Sequence, residues 1–355
     1  MLWVPHKNCD EAACGYLKFD PVDSSSFIEL KDQNFTSTSF RRGVVKGELG
    51  QDIVKVGDNG EAFIPRLTFG LATSVNDTAF DKECNGLLGL SPAEYLGTGS
   101  EPFIKSAIRQ GALKQPLFTV FLHPDPVNYG HPGGAITYGS IDKINCGSII
   151  GYKNIYGGGY QFDINGFSLG EFEYNVKSTA EANFDAMIAA PSDVVVGIAK
   201  LVNATYSKAI KAYAIDCDSQ FPDLKIKTDS GIYTIKHNNL IIKLNNDKCI
   251  LAMKPVEKTA ISSEFALGIP FMRQYCTIFD IGQQRLGFAE ALSVPRTTES
   301  TTEATTDGTT VHYSSMVTQT NPDLTTPSHA ADDVMLTFTQ TLLIALSALK
   351  IVINV

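Results

Sequence analysis

Few polar residues of this sequence stand in an arrangement that supports a recognised chemistry. Asp229-Ser230-Gly231 combines a carboxylate, a hydroxyl and a glycine at consecutive positions. The triplet lies, however, between two segments in which apolar and polar residues alternate, 224–228 and 232–235. Asp and Gly between two such segments are typical of a β-hairpin turn. We therefore interpret this triplet as a turn and not as a catalytic site.

The sequence gives little evidence that the protein binds a metal, a cofactor or nucleic acid. The six histidines are scattered along the chain: His6, His123, His131, His237, His312 and His329. Scattered histidines are polar loop residues far more often than metal ligands. The sequence contains no phosphate-binding glycine loop, no His-Glu-x-x-His helix and no Gly-x-Ser-x-Gly motif. We therefore predict no metal and no cofactor, and the net charge of -9 argues against nucleic acid as a partner.

The elements that would position a site form two related halves. Two apolar passages punctuated by glycine, residues 85–90 and 265–270, lie about 180 residues apart. Each fits a buried strand that bends at a glycine. Helix signals are confined to residues 101–109 and 192–200, and the remainder reads as short strands and turns. The pattern predicts an all-β fold with two barrel-like lobes.

A series of motifs in a fixed order gives these halves a family resemblance. The chain starts with Leu2-Trp3-Val4-Pro5 and its second half closes with the segments 271–280 and 284–289. Between them lie the matching segments 19–21, 24–27, 45–56, 110–111, 115–120 and 136–142. Their order and spacing resemble the pepsin-like aspartic peptidase family over roughly residues 2–292. The resemblance implies the bilobal fold of that family, with the first lobe at residues 1–145 and the second at residues 146–292.

The resemblance also implies a catalytic pair of aspartates, one from each lobe. Each Asp is expected in an Asp-Thr-Gly or Asp-Ser-Gly turn, because glycine allows the tight backbone that presents both carboxyl groups to one water molecule. Two carboxylates at that distance cannot both ionise, so one holds the proton while the other polarises the water.

Neither of these turns is found in this sequence. The first turn is expected just ahead of Leu2, where the sequence has only Met1. The second is expected nine residues before Pro191, where Ala182 takes the place of the Asp. Asp185 could supply the acid only if three residues were deleted, and the hydroxyl and glycine of the turn do not follow it. We therefore expect no intact catalytic residue.

Residues around the implied cleft differ from the family as well. In the family, a hairpin flap closes over the substrate and the hydroxyl of its Tyr bonds to a Trp. The resemblance places Trp3 at the Trp position, Phe40 at the Tyr position and Gly43 in the flap. Arg41 replaces a flap glycine and brings a charge to the cleft, and Ile269 stands where the family has an Asp after Leu-Gly.

The cysteines and the glycosylation triplets indicate a secretory protein. By resemblance, Cys9 pairs with Cys14 and Cys217 with Cys249, while Cys146 and Cys276 fall in strands expected in a central sheet and are candidates for a third bridge. Cys84 is left over, either as a buried free thiol or as a residue that has lost its partner. Acceptor triplets for N-glycosylation begin at Asn34, Asn76 and Asn203. Together with paired cysteines they favour the secretory pathway, and because no signal peptide precedes Leu2 we interpret Met1 as a truncated or artefactual start.

The composition changes after the second lobe. Residues 293–332 are rich in Thr and poor in apolar residues, so they predict a disordered, O-glycosylated stalk. The apolar tail at residues 333–355 fits a glycosylphosphatidylinositol anchor signal, with a membrane helix as the rival interpretation. The polar residues Gln340 and Lys350 weaken both of these interpretations, so an amphipathic tail remains a third alternative. We favour attachment to a membrane surface.

The sequence thus predicts a member of the aspartic endopeptidase family that is catalytically inactive. The alternative is a non-catalytic surface protein that uses the same scaffold to bind a peptide. In both cases we expect a monomer at the cell surface or outside the cell, with a polypeptide as substrate or ligand. Strands expected ahead of Leu2 would cover apolar segments such as 117–122, so the first lobe is predicted to be incomplete and to expose an unpaired edge there.

Overall fold

The computed structural model describes most of residues 1–293 and two short segments after them. The described ranges are 1–10, 12–38, 44–56, 62–76, 85–92, 100–124, 133–156, 159–244, 248–256, 263–293, 309–313 and 351–353. Phe40, Gly43 and Cys84 lie outside these ranges, as does most of the predicted stalk and tail.

Short strands dominate the chain. The first half contains β1 (Leu2–Pro5), β2 (Ile28–Thr38), β3 (Val44–Val56), β4 (Ala62–Asn76), β5 (Leu87–Leu88), β6 (Leu117–Leu122) and β7 (Gly134–Tyr138). The second half contains β8 (Cys146–Asn154), β9 (Gln161–Ile164), β10 (Gly166–Leu169), β11 (Phe172–Tyr174), β12 (Ser178–Glu181), β13 (Ile188–Ala190), β14 (Thr205–Ser207), β15 (Ala212–Ile215), β16 (Leu224–Thr228), β17 (Gly231–Ile235), β18 (Ile241–Lys243), β19 (Cys249–Leu251), β20 (Met253–Pro255), β21 (Phe265–Ala266), β22 (Tyr275–Asp280) and β23 (Arg285–Ala291). Two further strands are β24 (Thr309–Tyr313) and β25 (Ile351–Ile353).

The helices are few and short, as the sequence predicts. They are α1 (Phe103–Arg109), α2 (Ser192–Leu201) and α3 (Gly268–Gln274), with 3₁₀ turns at Ala12–Cys14, Pro21–Asp23 and His237–Leu240. Pro102 and Pro191 precede α1 and α2, in keeping with the fixed φ angle that suits proline to a helix start. The third helix was not predicted. None of the helices in the described part of the chain is long and apolar enough to span a membrane.

The two halves repeat one strand arrangement. In the first half, β1 lies between β4, with which it runs parallel, and β5, with which it runs antiparallel. In the second half, β13 lies in the same way between β20 and β21. The predicted internal repeat is therefore present, since β5 and β21 are the two apolar passages that contain glycine. Strand β12 adds to β21 in the second half, and the described residues of the first half form no such strand beside β5.

A central sheet joins the halves, with the order β24-β7-β6-β22-β23-β8. Strand β6 pairs with β7 on one edge and with β22 on the other, and five of its six residues are buried. The prediction of an unpaired edge at residues 117–122 is therefore wrong, because β22 of the second half supplies the partner. The rings of Phe118 and Phe279 stack across this pairing with centroids 4.5 Å apart.

The predicted disulfides are confirmed. The structure has the bridges Cys9–Cys14, Cys146–Cys276 and Cys217–Cys249. The second bridge ties β8 to β22 within the central sheet. Closing a chain segment of 130 residues in this way stabilises the fold by about 5 kcal/mol on the loop-entropy account.

Two short segments of the predicted stalk and tail are described. Residues 309–313 form β24 and pair with β7, and residues 351–353 form β25 and pair with β3. For residues 309–313 the structure therefore differs from the disordered stalk that composition predicts, because Thr, Val and Tyr suit a strand once a sheet edge is at hand. The other residues of both segments lie outside the described ranges.

Candidate active-site cleft

The loop between β12 and β13, residues 182–187, occupies the position that the resemblance gives to the second catalytic Asp. Backbone hydrogen bonds hold the loop at its start and in its middle: the Ala182 N–H donates to the Tyr160 carbonyl at 3.2 Å, and the Ile269 N–H donates to the Asp185 carbonyl at 2.7 Å. Ala182 is 1% exposed and belongs to the main core cluster. Its methyl group can neither hold nor transfer a proton, so this loop brings no acid to the site through residue 182.

Asp185 supplies the carboxylate nearest in sequence, and its oxygens are engaged in local structure. Its backbone N–H is bonded to the Asn183 side-chain oxygen at 3.2 Å, while one of its own carboxylate oxygens accepts from the Met187 N–H at 3.2 Å. The other oxygen forms an ion pair with Lys254 of β20. Side-chain acceptors of this kind stabilise turns. Asp185 therefore shapes the loop and neutralises a lysine.

Gly268 lets β21 and α3 approach this loop closely. A Cβ atom added at this glycine would lie 2.6 Å from both the Asp185 and the Met187 carbonyl oxygens, and its φ of +59° is in the left-handed region. Only glycine meets both conditions without strain. The next residue, Ile269, is 5% exposed, so the position where the family has an Asp carries a buried apolar side chain here.

A cluster of aromatic rings packs against the loop at residues 182–187. The Phe184 ring lies 6.4 Å from that of Phe279, with planes at 18°. The ring of Tyr160 meets Phe279 edge to face at 4.5 Å, and the Tyr160 hydroxyl donates to the Leu90 carbonyl at 2.6 Å. Leu90 belongs to the first half, so this hydrogen bond and the ring cluster connect the loop to both halves of the molecule.

The resemblance places Trp3 of β1, in the first half, beside the cleft. Trp3 is 1% exposed, pairs with Gly70 of β4 and Leu87 of β5, and packs in a cluster with the Cys9–Cys14 bridge. The flap residues Phe40 and Gly43, for which the resemblance implies a role above the cleft, fall outside the described residues.

The Asp-Ser-Gly triplet is a turn, as the sequence predicts. Asp229 and Ser230 form the two-residue connection between β16 and β17, in which Thr228 pairs with Gly231. Lys153 bonds to both Asp229 and Ser230. This hydrogen bond holds the pKa of Asp229 below its usual range. The carboxylate is 82% exposed and is engaged with a lysine, so it plays no part in the loop at residues 182–187.

Sequence analysis missed one titratable group in this region. Glu181 is the last residue of β12 and precedes Ala182. Burial raises the pKa of the Glu181 carboxyl. The alternating burial of β12, with Ser178, Ala180 and Ala182 buried, turns Glu181 to the opposite face from Ala182. The alternation of β12 was visible in the sequence, but the burial of the strand face that carries Glu181 was not.

Several other predicted positions can be placed. Asn34, Asn76 and Asn203 are all exposed, which leaves them open to modification. Within the described ranges, no cluster of three or more His, Cys, Asp or Glu side chains could hold a metal ion.

Comparison with known proteins identifies the family. The family model described as eukaryotic aspartyl protease matches residues 1–291. Aspartic protease 6 of Caenorhabditis elegans is 35% identical over 297 residues, which cover 82% of this chain and 75% of that protein. Pregnancy-associated glycoprotein 2 of Bos taurus is 27% identical over 299 residues, which cover 82% of this chain and 76% of that protein. The chain belongs to the eukaryotic aspartyl protease family. The predicted family and the pepsin-like all-β fold are thus confirmed.

Proposed function

We propose that this chain is a catalytically inactive member of the eukaryotic aspartyl protease family. The observation that carries the proposal is the loop at residues 182–187, where buried Ala182 stands in the position of the second catalytic Asp and Asp185 is ion-paired with Lys254. Aspartyl proteases need two carboxylates that share a proton and activate one water molecule. A single carboxylate from the other lobe would lack its partner, whatever precedes Leu2.

The expected loss is large. One positioned acid or base typically contributes about 10²- to 10⁴-fold to a rate, and the pair also polarises the attacking water. Hydrolysis of peptide bonds by this chain should therefore be close to background.

The second candidate function is binding of a polypeptide without cleavage. It is supported by the backbone of the loop, which retains its strand pairing, its hydrogen bonds to the 267–269 segment and the close approach at Gly268. This backbone geometry suits a cleft of the kind that the family resemblance implies, and extended peptides bind to such clefts through main-chain hydrogen bonds. The expected partner is a polypeptide in an extended conformation, bound by a monomer with lobes at residues 1–145 and 146–292.

We further propose that the protein works outside the cell or at its surface. Three disulfides favour an oxidising compartment. Exposed Asn34, Asn76 and Asn203 fit N-glycosylation. The apolar composition of residues 333–355 supports attachment to a membrane.

Cleavage of an unfolded protein substrate at acid pH tests the proposal. The purified full-length chain is assayed with and without a peptidic transition-state mimic, next to an active aspartyl protease. We expect no turnover that the mimic inhibits. Turnover that is both acid-dependent and mimic-sensitive would overturn the proposal, and loss of that turnover in Asp185→Asn but not in Asp229→Asn would assign the missing acid to Asp185.

Restoration of the acid provides the complementary test. Residues 182–184 are replaced by Asp-Thr-Gly in a protein that also carries an Asp-Thr-Gly-Ser turn ahead of Leu2. We expect measurable acid proteolysis from this protein and none from the matched protein in which only the upstream turn is added. Equal activity of the two proteins would show that Ala182 is not the residue that limits catalysis.

A further inference from the structure

A polar cavity lies in the first half between the C-terminal turn of α1 and one face of the β3–β4 pair. Its volume is about 220 Å³, and Gln51, Arg66, Thr68, Glu101 and Arg109 are among the residues that line it. Gln51 and Thr68 pair across the two strands, and the Gln51 amide donates to the Thr68 hydroxyl at 2.9 Å. Arg66 lies two residues before Thr68 on β4, so both side chains are on the same face of the sheet.

Arg66 is held in place through its backbone while its guanidinium is available. The side-chain amide of Gln110 accepts from the Arg66 N–H at 3.0 Å and donates to the Arg66 carbonyl at 2.5 Å. Gln110 also donates to buried Ser106, which fixes the amide against α1. The Arg66 side chain is exposed, and no residue in the described part of the chain forms a hydrogen bond or ion pair with its guanidinium.

The second cation of the cavity is already paired. Arg109 donates to both carboxylate oxygens of Glu101, from Nε at 3.1 and 3.2 Å and from Nη2 at 2.7 Å. This hydrogen bonding holds the pKa of Glu101 below its usual range, so the acid stays ionised and Arg109 stays in place. Two guanidinium groups and one carboxylate leave the cavity with one net positive charge, in a protein whose net charge is -9.

We propose that this cavity binds the carboxylate of an acidic polypeptide segment, with Arg66 as the primary anchor. A guanidinium presents a planar fork of donors that matches a carboxylate with two parallel hydrogen bonds. The Thr68 hydroxyl and the Gln51 amide stand beside Arg66 and offer polar contacts to the backbone of the bound segment. The site lies apart from the loop at residues 182–187 and does not depend on whether the chain hydrolyses peptides.

Binding of a labelled hexaglutamate peptide to the full-length protein tests the proposal. Fluorescence anisotropy at neutral pH and physiological salt gives the affinity, with hexaglutamine as the uncharged comparison. Arg66→Gln should weaken hexaglutamate binding about 10-fold, the usual size for a charge-assisted hydrogen bond. Lys46→Gln removes the same charge from an exposed position on β3 outside the cavity and should change the affinity less than about 2-fold. Equal effects of the two variants, or no difference between hexaglutamate and hexaglutamine, would overturn the proposal.

Glu101→Gln supplies a test of opposite sign. The substitution releases Arg109 and removes the competing carboxylate, so hexaglutamate should bind about 5-fold more tightly. Glu171→Gln makes the same charge change at an exposed site in the second half and should have little effect. Unchanged or weaker binding by Glu101→Gln would refute the assignment. Free glutarate that competes as well as hexaglutamate would also refute it, because a polypeptide would then not be the preferred ligand.

Discussion

Substitution of Ala182 by Asp asks whether the loop at residues 182–187 can still accommodate a catalytic acid. A protease that had lost only the carboxyl group would tolerate its return, because the family site solvates and hydrogen-bonds that carboxylate. Here Ala182 is 1% exposed, belongs to the main core cluster, and is followed by Asn183 and Phe184 where the turn needs a hydroxyl and a glycine. We expect Ala182→Asp alone to destabilise the protein and to restore no activity.

The magnitude follows from burial. A neutral carboxyl buried without a partner costs about 1 to 3 kcal/mol. Burial also raises the pKa of the introduced acid above its unfolded value of about 3.9. Below that pH both states hold the proton, so only the neutral cost applies. As the pH rises, the unfolded chain ionises first, and folding stability falls by about 1.4 kcal/mol per pH unit until the folded pKa is reached.

Urea unfolding at two pH values measures both contributions. Ala209→Asp is the matched control, because Ala209 lies in an exposed turn between β14 and β15 and should change stability by about 0.5 kcal/mol or less. Between pH 4 and pH 6, roughly, the gap between the two variants should widen by about 2 to 3 kcal/mol. If Ala182→Asp is as stable as the control at both pH values, the loop still accepts a carboxylate and the argument from burial fails.

Two further predictions concern the surroundings of the loop. Because burial raises the pKa of Glu181, the contribution of this carboxyl to folding stability should fall as the pH rises above the unfolded value of about 4.3, so Glu181→Gln should gain stability relative to the wild-type protein with rising pH. Thermal unfolding of both proteins at acid and neutral pH checks this, and a difference that does not grow with pH would contradict it. Phe279 is fully buried and stacks on Phe118, so Phe279→Ala should cost about 3 to 5 kcal/mol in urea unfolding. A cost similar to that of Phe172→Ala, where the ring is only half-buried, would show that the aromatic cluster does not support the site.

The structural features that depend on neighbouring residues, or on a spacing fixed by the family, were predicted from the sequence. The turn at Asp229 followed from the alternating segments on either side, and the first two helices followed from a proline at the start and periodic apolar residues after it. The disulfide partners followed from the resemblance to the family. In each case the information lies within a few residues or in a spacing that the family fixes.

Contacts between segments that are far apart in the sequence were not predicted. Lys254 meets Asp185 across 69 positions of sequence, and no local pattern links them. The helix α3 was missed because five of its seven residues are buried, and a short apolar run without a polar face does not distinguish helix from strand. The second edge of β6 was predicted to be open because its partner comes from the other half of the chain.

That pairing has a consequence for biosynthesis. Thr277 of β22 lies opposite Val120 of β6 but follows it by 157 positions in the chain. At about 5 to 20 residues per second, a ribosome needs roughly 8 to 30 s to make that stretch. During this interval the apolar strand β6 lacks its partner strand β22, and the nascent chain exposes an unpaired, aggregation-prone strand edge. Chaperones that shield emerging strands should therefore engage the chain while its second half is still being translated.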